Sequence, residues 1–123
     1  MKKIIILLFL LIPINTNAFE RTTNFEFDVF EKAQKDGKII VVNSWNKTCG
    51  TCAKQIQILA QAEKEFDDVV FLSYEQTEYK DIAQYLNIDF WATIVVYKGN
   101  KEVSKVLGVT NKDEIYSLIE KNS

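Results

Sequence analysis

The stretch Trp45-Asn46-Lys47-Thr48-Cys49-Gly50-Thr51-Cys52-Ala53-Lys54 decides the reading of this chain, because the segments on its two sides differ in periodicity. Upstream, Ile39 to Ser44 is a β-branched run without alternation, the pattern of a strand covered on both faces. Downstream, Ile56, Leu59, Ala62 and Phe66 recur at three- and four-residue intervals, which predicts a helix ending near Asp67-Asp68. The two cysteines therefore sit where a buried strand hands over to a helix. Residues three apart on a helix have Cβ atoms about 5 to 6 Å apart, close enough to open and close a disulfide with small adjustment. Cys49, expected in the first turn, faces unpaired amides and the positive dipole end, which favour a thiolate. Cys49 is the expected nucleophile, and Cys52, one turn deeper, the residue that resolves a mixed disulfide. Lys47 and Lys54 add solvated positive charge of small effect.

Other uses of two thiols remain open at this point. A disulfide closing four residues removes only about 2 kcal/mol of unfolded-state entropy, against about 3 kcal/mol for fifteen, so a purely structural bridge here is a weak one. A zinc site needs about four ligands, and with no His and no third Cys it would have to bridge two chains. Two inert, buried thiols are the third alternative. The absence of histidine excludes Ser-His and Cys-His catalytic pairs.

Working outward, residues 1–18 carry Lys2 and Lys3, an apolar run from Ile4 to Ile12, then Pro13 and a polar stretch ending Thr16-Asn17-Ala18. That is the layout of a secretory signal peptide, with cleavage expected after Ala18. The run is shorter than the roughly 20 apolar residues a membrane span needs, and an uncleaved anchor is the alternative. Residues 19–123 then form one domain, expected in the periplasm of a bacterium, where disulfides persist. Without Lys2 and Lys3, 13 basic residues face 17 acidic ones, so nucleic acid is not the expected partner.

No repeat or Pro/Gly/Ser-rich linker interrupts this part. A first helix carries Phe27, Phe30 and Ala33, with Asn24 or Thr23 as its cap, and ends at Asp36-Gly37. Val69 to Tyr74 reads as a second buried strand. Tyr79, Ile82, Ala83 and Leu86 form a helical stripe capped by Thr77. Thr93 to Tyr97 and Val103 to Leu107 are strands of a hairpin turning at Lys98-Gly99-Asn100-Lys101. A last helix starts at Asn111, with Glu114 completing a capping box and Ile115, Leu118 and Ile119 buried. The order α-β-α-β-α-β-β-α predicts an α/β domain with one mixed β-sheet flanked by helices on both faces.

With these residues in hand, the chain resembles the thioredoxin family over nearly all of residues 19–123. Trp45 stands at the family's tryptophan four residues before the first active-site cysteine. Phe25 to Trp45 is similar to its first helix and central strand, and Ala83 to Tyr97 to the segment leading into its cis-proline loop. The Ala33 to Lys38 stretch is similar to exported thioredoxin-like domains. The resemblance implies catalytic Cys49 and Cys52, substrate contacts at Trp91, Ala92 and Thr93, and supporting roles for Trp45, Asn43, Gly50 and Thr51. It implies no cofactor and no metal. Two departures stand out: Ala92 falls at the cis-proline position, and Asn43 replaces a buried aspartate that can take a proton from the second cysteine. A cis bond before a non-proline residue costs about 2.5 to 4 kcal/mol, so the Trp91-Ala92 bond is expected trans in a rebuilt loop. Trp91 and Phe90 are either core aromatics or an exposed partner-binding patch, with Phe90 the more buried.

The function expected is that of a periplasmic thiol-disulfide oxidoreductase, a monomer, that reduces or isomerises protein disulfides with electrons from a membrane donor. The alternatives are a non-catalytic binding module on the same fold and a reductase dedicated to cytochrome c maturation. The Gly50-Thr51 dipeptide does not set redox direction.

Overall fold

The computed structural model describes residues 22–123, and the signal segment expected at 1–18 lies outside them. In chain order the elements are α1 (Phe27–Lys35), β1 (Ile39–Trp45), α2 (Gly50–Glu65), β2 (Val69–Glu75), α3 (Lys80–Leu86), β3 (Thr93–Lys98), β4 (Lys101–Leu107) and α4 (Lys112–Glu120). The sheet order is β2-β1-β3-β4, with β1 parallel to β2 and antiparallel to β3, and β3 antiparallel to β4.

Every residue of β1 is buried, because successive side chains of a strand point to opposite faces and both faces are covered. Ile40 and Val42 join Phe30, Ala33, Ile82, Leu86, Val95 and Tyr97 in the core under α1 and α3. Ile39 and Val41 join Leu59, Ala62, Ile94, Val96, Ile115 and Ile119 in the core under α2 and α4. The next residues on these two tracks, Asn43 and Ser44, are polar and fully covered, and they mark where the apolar core gives way to the site.

Three expectations are corrected. Thr23 and Asn24 do not cap α1, whose N-cap is Glu26 without a side-chain bond. Instead residues 22–25 run along the outer edge of β2: Asn24 Oδ1 accepts from Ser73 N at 2.6 Å and Thr23 Oγ1 from Glu75 N at 3.0 Å. Polar side chains that could cap a helix are used here to seal an exposed strand edge. Thr77 does not cap α3 either; its hydroxyl donates to Glu75. Lastly, β2 is an edge strand whose first three residues are only half-buried, since the sheet covers one flank of it and not both. The Asn111 cap stands as expected, its side chain accepting from Glu114 N at 3.0 Å.

Candidate active site

Between β1 and α2 the chain turns within residues 46 to 49, and a buried carboxylate shapes the turn. Asn46 Oδ1 accepts from Thr48 N and Thr48 Oγ1, and Cys49 N donates to Asn46 O. Asn46 Nδ2 in turn donates to Glu75 Oε1 at 3.0 Å. Glu75 is 1% exposed and also accepts from Thr77 Oγ1 and from Glu78 N. Three donors converge on this buried carboxylate and fix its orientation. Lys47 is paired with Glu78, and that partner raises its pKa. Its charge thus answers a carboxylate beside the turn.

Cys49 is the N-cap of α2, one position before the first turn, and its Sγ accepts from Cys52 N at 3.0 Å. The two cysteines are joined as a disulfide with Cα atoms 5.2 Å apart, so the structure is the oxidised form. Cys52 is 0% exposed, whereas Cys49 keeps partial exposure. Helix geometry produces this asymmetry, since the cap lies at the surface and the residue one turn on faces the sheet. When the bond is reduced, the amide donor and helix end that now serve Cys49 stabilise a thiolate there.

Cys49, Cys52, Trp45 and Ala92 come together in one cluster, with Ile56 packed against it. Trp45 is buried and its indole N–H donates to Thr22 O at 3.1 Å. Asn43 lies buried behind the cluster, donating from Nδ2 to Gln55 Oε1 at 3.2 Å and to Thr93 O at 3.4 Å. Its Oδ1 has no protein partner, and the residue borders a cavity of about 180 Å³ between α2 and β2. Gly50 is exposed and Thr51 partly so, flanking the disulfide on the solvent side.

The loop before β3 follows the expected trans course, since no peptide bond among the described residues is cis. Ala92 takes φ +60°, a left-handed conformation that costs a residue with a side chain about 1 to 2 kcal/mol. Its N–H donates to Ser44 O and its carbonyl accepts from Gly108 N, each at 2.8 Å. Gly108 itself has φ +72°, which glycine adopts freely. The carbonyl of Phe90 accepts from the hydroxyls of Ser44 and Thr93. Ala92 and Thr93 thus face inward. Phe90 and Trp91 are 64% and 46% exposed, which reverses the expectation that Phe90 is the more buried. Trp91 borders a groove of about 470 Å³ with Gln76, Thr77, Lys80 and Ile88.

Two buried residues at the site are absent from the sequence reading. Gln55 had a signal, since it lies three residues after Cys52 and four before Leu59 on the apolar stripe of α2. Glu75 had none, because a strand-ending acid ordinarily faces solvent.

The family model described as Thioredoxin matches residues 18–121. The chain belongs to the thioredoxin family. A thioredoxin H-type of Oryza sativa subsp. indica is 31% identical over 98 residues, 79% of this chain and 80% of the relative. The crystal structure of the thioredoxin NaTrxh from Nicotiana alata has a TM-score of 0.69 at 29% identity, covering 76% of this chain and 81% of that one. Trxlp from Edwardsiella tarda shares the fold, with a TM-score of 0.73 at 18% identity over 77% of this chain and 94% of that one. As a thioredoxin family member with the Cys49–Cys52 pair at the start of α2, the protein is a thiol-disulfide oxidoreductase.

Proposed function

We propose that this member of the thioredoxin family works in the periplasm, as a monomer, reducing or isomerising protein disulfides with electrons from a membrane donor. The observation that carries the reading is that the exposed aromatics Phe90 and Trp91 immediately precede Ala92, which packs in one cluster with Cys52 and the partly exposed Cys49. An apolar surface beside a reactive sulfur suits an unfolded or partly open polypeptide. The segment Lys2 to Ala18 supports export.

In the reducing direction the Cys49 thiolate attacks one sulfur of the substrate disulfide, forming a mixed disulfide and expelling the other sulfur as a thiolate. Cys52 then loses its proton and attacks Cys49 Sγ. The Cys49–Cys52 disulfide forms, the second substrate sulfur leaves, and two electrons have passed to the substrate. A donor dithiol restores the pair by the same exchange in reverse. Asn43 has no proton to accept or give at neutral pH, so the proton of Cys52 passes to a group other than the residue at position 43.

The test combines a Cys52→Ser variant expressed with its own leader, fractionation of the cells, and recovery of mixed disulfides. Adducts on Cys49 with exported proteins are expected, in the periplasmic fraction. Recovery in the cytosol, or no adduct at all, would overturn the reading. The reduction potential of the pair sets the direction: a value near the reducing end of the family range supports reduction, and a strongly oxidising value refutes it.

A further inference from the structure

We propose that Gln55 is a positioning residue, which locks the Phe90–Thr93 loop and the loop after β4 against the dithiol helix so that a polypeptide substrate meets Cys49 in a fixed frame. The inference rests on the reading that polypeptide disulfides are the substrates.

Gln55 is 0% exposed, on the same face of α2 as Cys52 and one turn beyond it. Its Nε2 donates to Ala92 O and to Val109 O, both at 3.0 Å. Its Oε1 accepts from Asn43 Nδ2 at 3.2 Å. Two carbonyl oxygens on one side and an amide group on the other leave one orientation of the side chain that satisfies all three contacts. A single amide therefore joins α2, β1, the loop before β3 and the loop before α4.

The contact with Ala92 is the informative one. A residue other than glycine at φ +60° persists only when its surroundings fix it from several directions. At Ala92 three bonds do so: two to backbone groups, Ser44 O and Gly108 N, and one to Gln55. The proline that would set this loop through its own ring is absent, and the restraint arrives instead from a side chain on the helix that carries the cysteines. Both lone pairs of the Ala92 carbonyl are occupied from within. The neighbouring exposed residue, Trp91, is left to face a substrate at a set distance from Cys49. Misplacing a docking element by about 1 Å is enough to lower turnover substantially.

A Gln55→Met variant keeps the length of the side chain and removes its donors and acceptor. The protein would be reduced with dithiothreitol, freed of it, and mixed with an excess of a peptide disulfide or of the small aryl disulfide 5,5′-dithiobis(2-nitrobenzoate), so that each trace gives the second-order rate constant that corresponds to kcat/KM. The peptide needs the loop; the aryl disulfide needs only an accessible thiolate. The expected result is a fall of about tenfold in kcat/KM for the peptide, with the aryl disulfide rate and the reduction potential unchanged. An equal fall for both substrates, or no fall for either, overturns the role of Gln55. Failure of the unaltered protein to reduce the peptide at all overturns the functional reading instead.

A measurement on the unaltered protein covers the case in which the variant does not fold. The side-chain amide protons of Gln55 should exchange with solvent far more slowly than those of the exposed Gln57 on the same helix. Exchange of the two at similar rates would remove the basis of the proposal.

Discussion

Replacing Asn43 by aspartate restores the family's residue but, in this chain, places a carboxyl where only a donor fits. Asn43 is 2% exposed, and its Nδ2 points at two acceptors, Gln55 Oε1 and Thr93 O. Gln55 cannot reverse its amide to help, because its own Nε2 is committed to Ala92 O and Val109 O. A charged carboxylate would face two oxygens at a buried position, so the folded state should hold the new carboxyl protonated. Burial of this kind raises a carboxyl pKa by about 2 to 3 units above an unfolded value near 3.9. A raised folded pKa means that the native state binds more protons than the unfolded chain, so stability falls as pH rises between the two values. Near pH 4 the protonated group can still donate once, and the loss should be about 1 kcal/mol for the bond not made. Above that, the penalty should grow by about 1.4 kcal/mol per pH unit and level off at a further 3 to 4 kcal/mol by pH 7. Urea unfolding of Asn43→Asp and the unaltered protein at pH 4, 5.5 and 7, with the disulfide intact, measures this directly. A difference of the same size at all three pH values would refute the reasoning.

Three more outcomes follow from the packing and the titratable groups. Glu75→Ala removes the bonds it accepts from Asn46 Nδ2, Thr77 Oγ1 and Glu78 N, and should cost about 3 kcal/mol in urea unfolding while leaving the far-UV spectrum native. Asn111→Ala removes the cap on Glu114 N and should cost about 1 kcal/mol by the same assay. Burial holds the hydroxyls of Tyr74 and Tyr97 well above the ordinary tyrosine value, so their contribution is fully present below pH 10 and is lost as pH rises above it. Ultraviolet titration should show these tyrosines ionising together with unfolding, and ionisation in a folded protein near pH 10 would contradict it.

The apolar periodicities carried the architecture because each side chain that sets it answers to one local geometry. Ile39 to Val42 read as a two-sided strand, and Leu59 with Ala62 as a buried helix face, and both packed so. The polar residues were harder. Thr23, Asn24 and Thr77 are good caps in isolation, and a hydroxyl or amide does not encode whether its partner is a helix end nearby or a strand some fifty positions away, as Ser73 and Glu75 are for Asn24 and Thr23. At the site, spacing identified Cys49 and Cys52, and resemblance directed attention to Asn43 and Ala92. The bonds from Gln55 to Ala92 and Val109 span 37 and 54 positions, so no window of sequence contains both ends. Phe90 and Trp91 likewise carry the same apolar signal whether a neighbour covers them or not.

The dithiol turn leaves the sheet from β1, which has a strand on each side and no residue open to water. Backbone amides in such a strand are freed only when the whole domain opens. The chemistry is therefore mounted at the end of the most enclosed strand of the sheet.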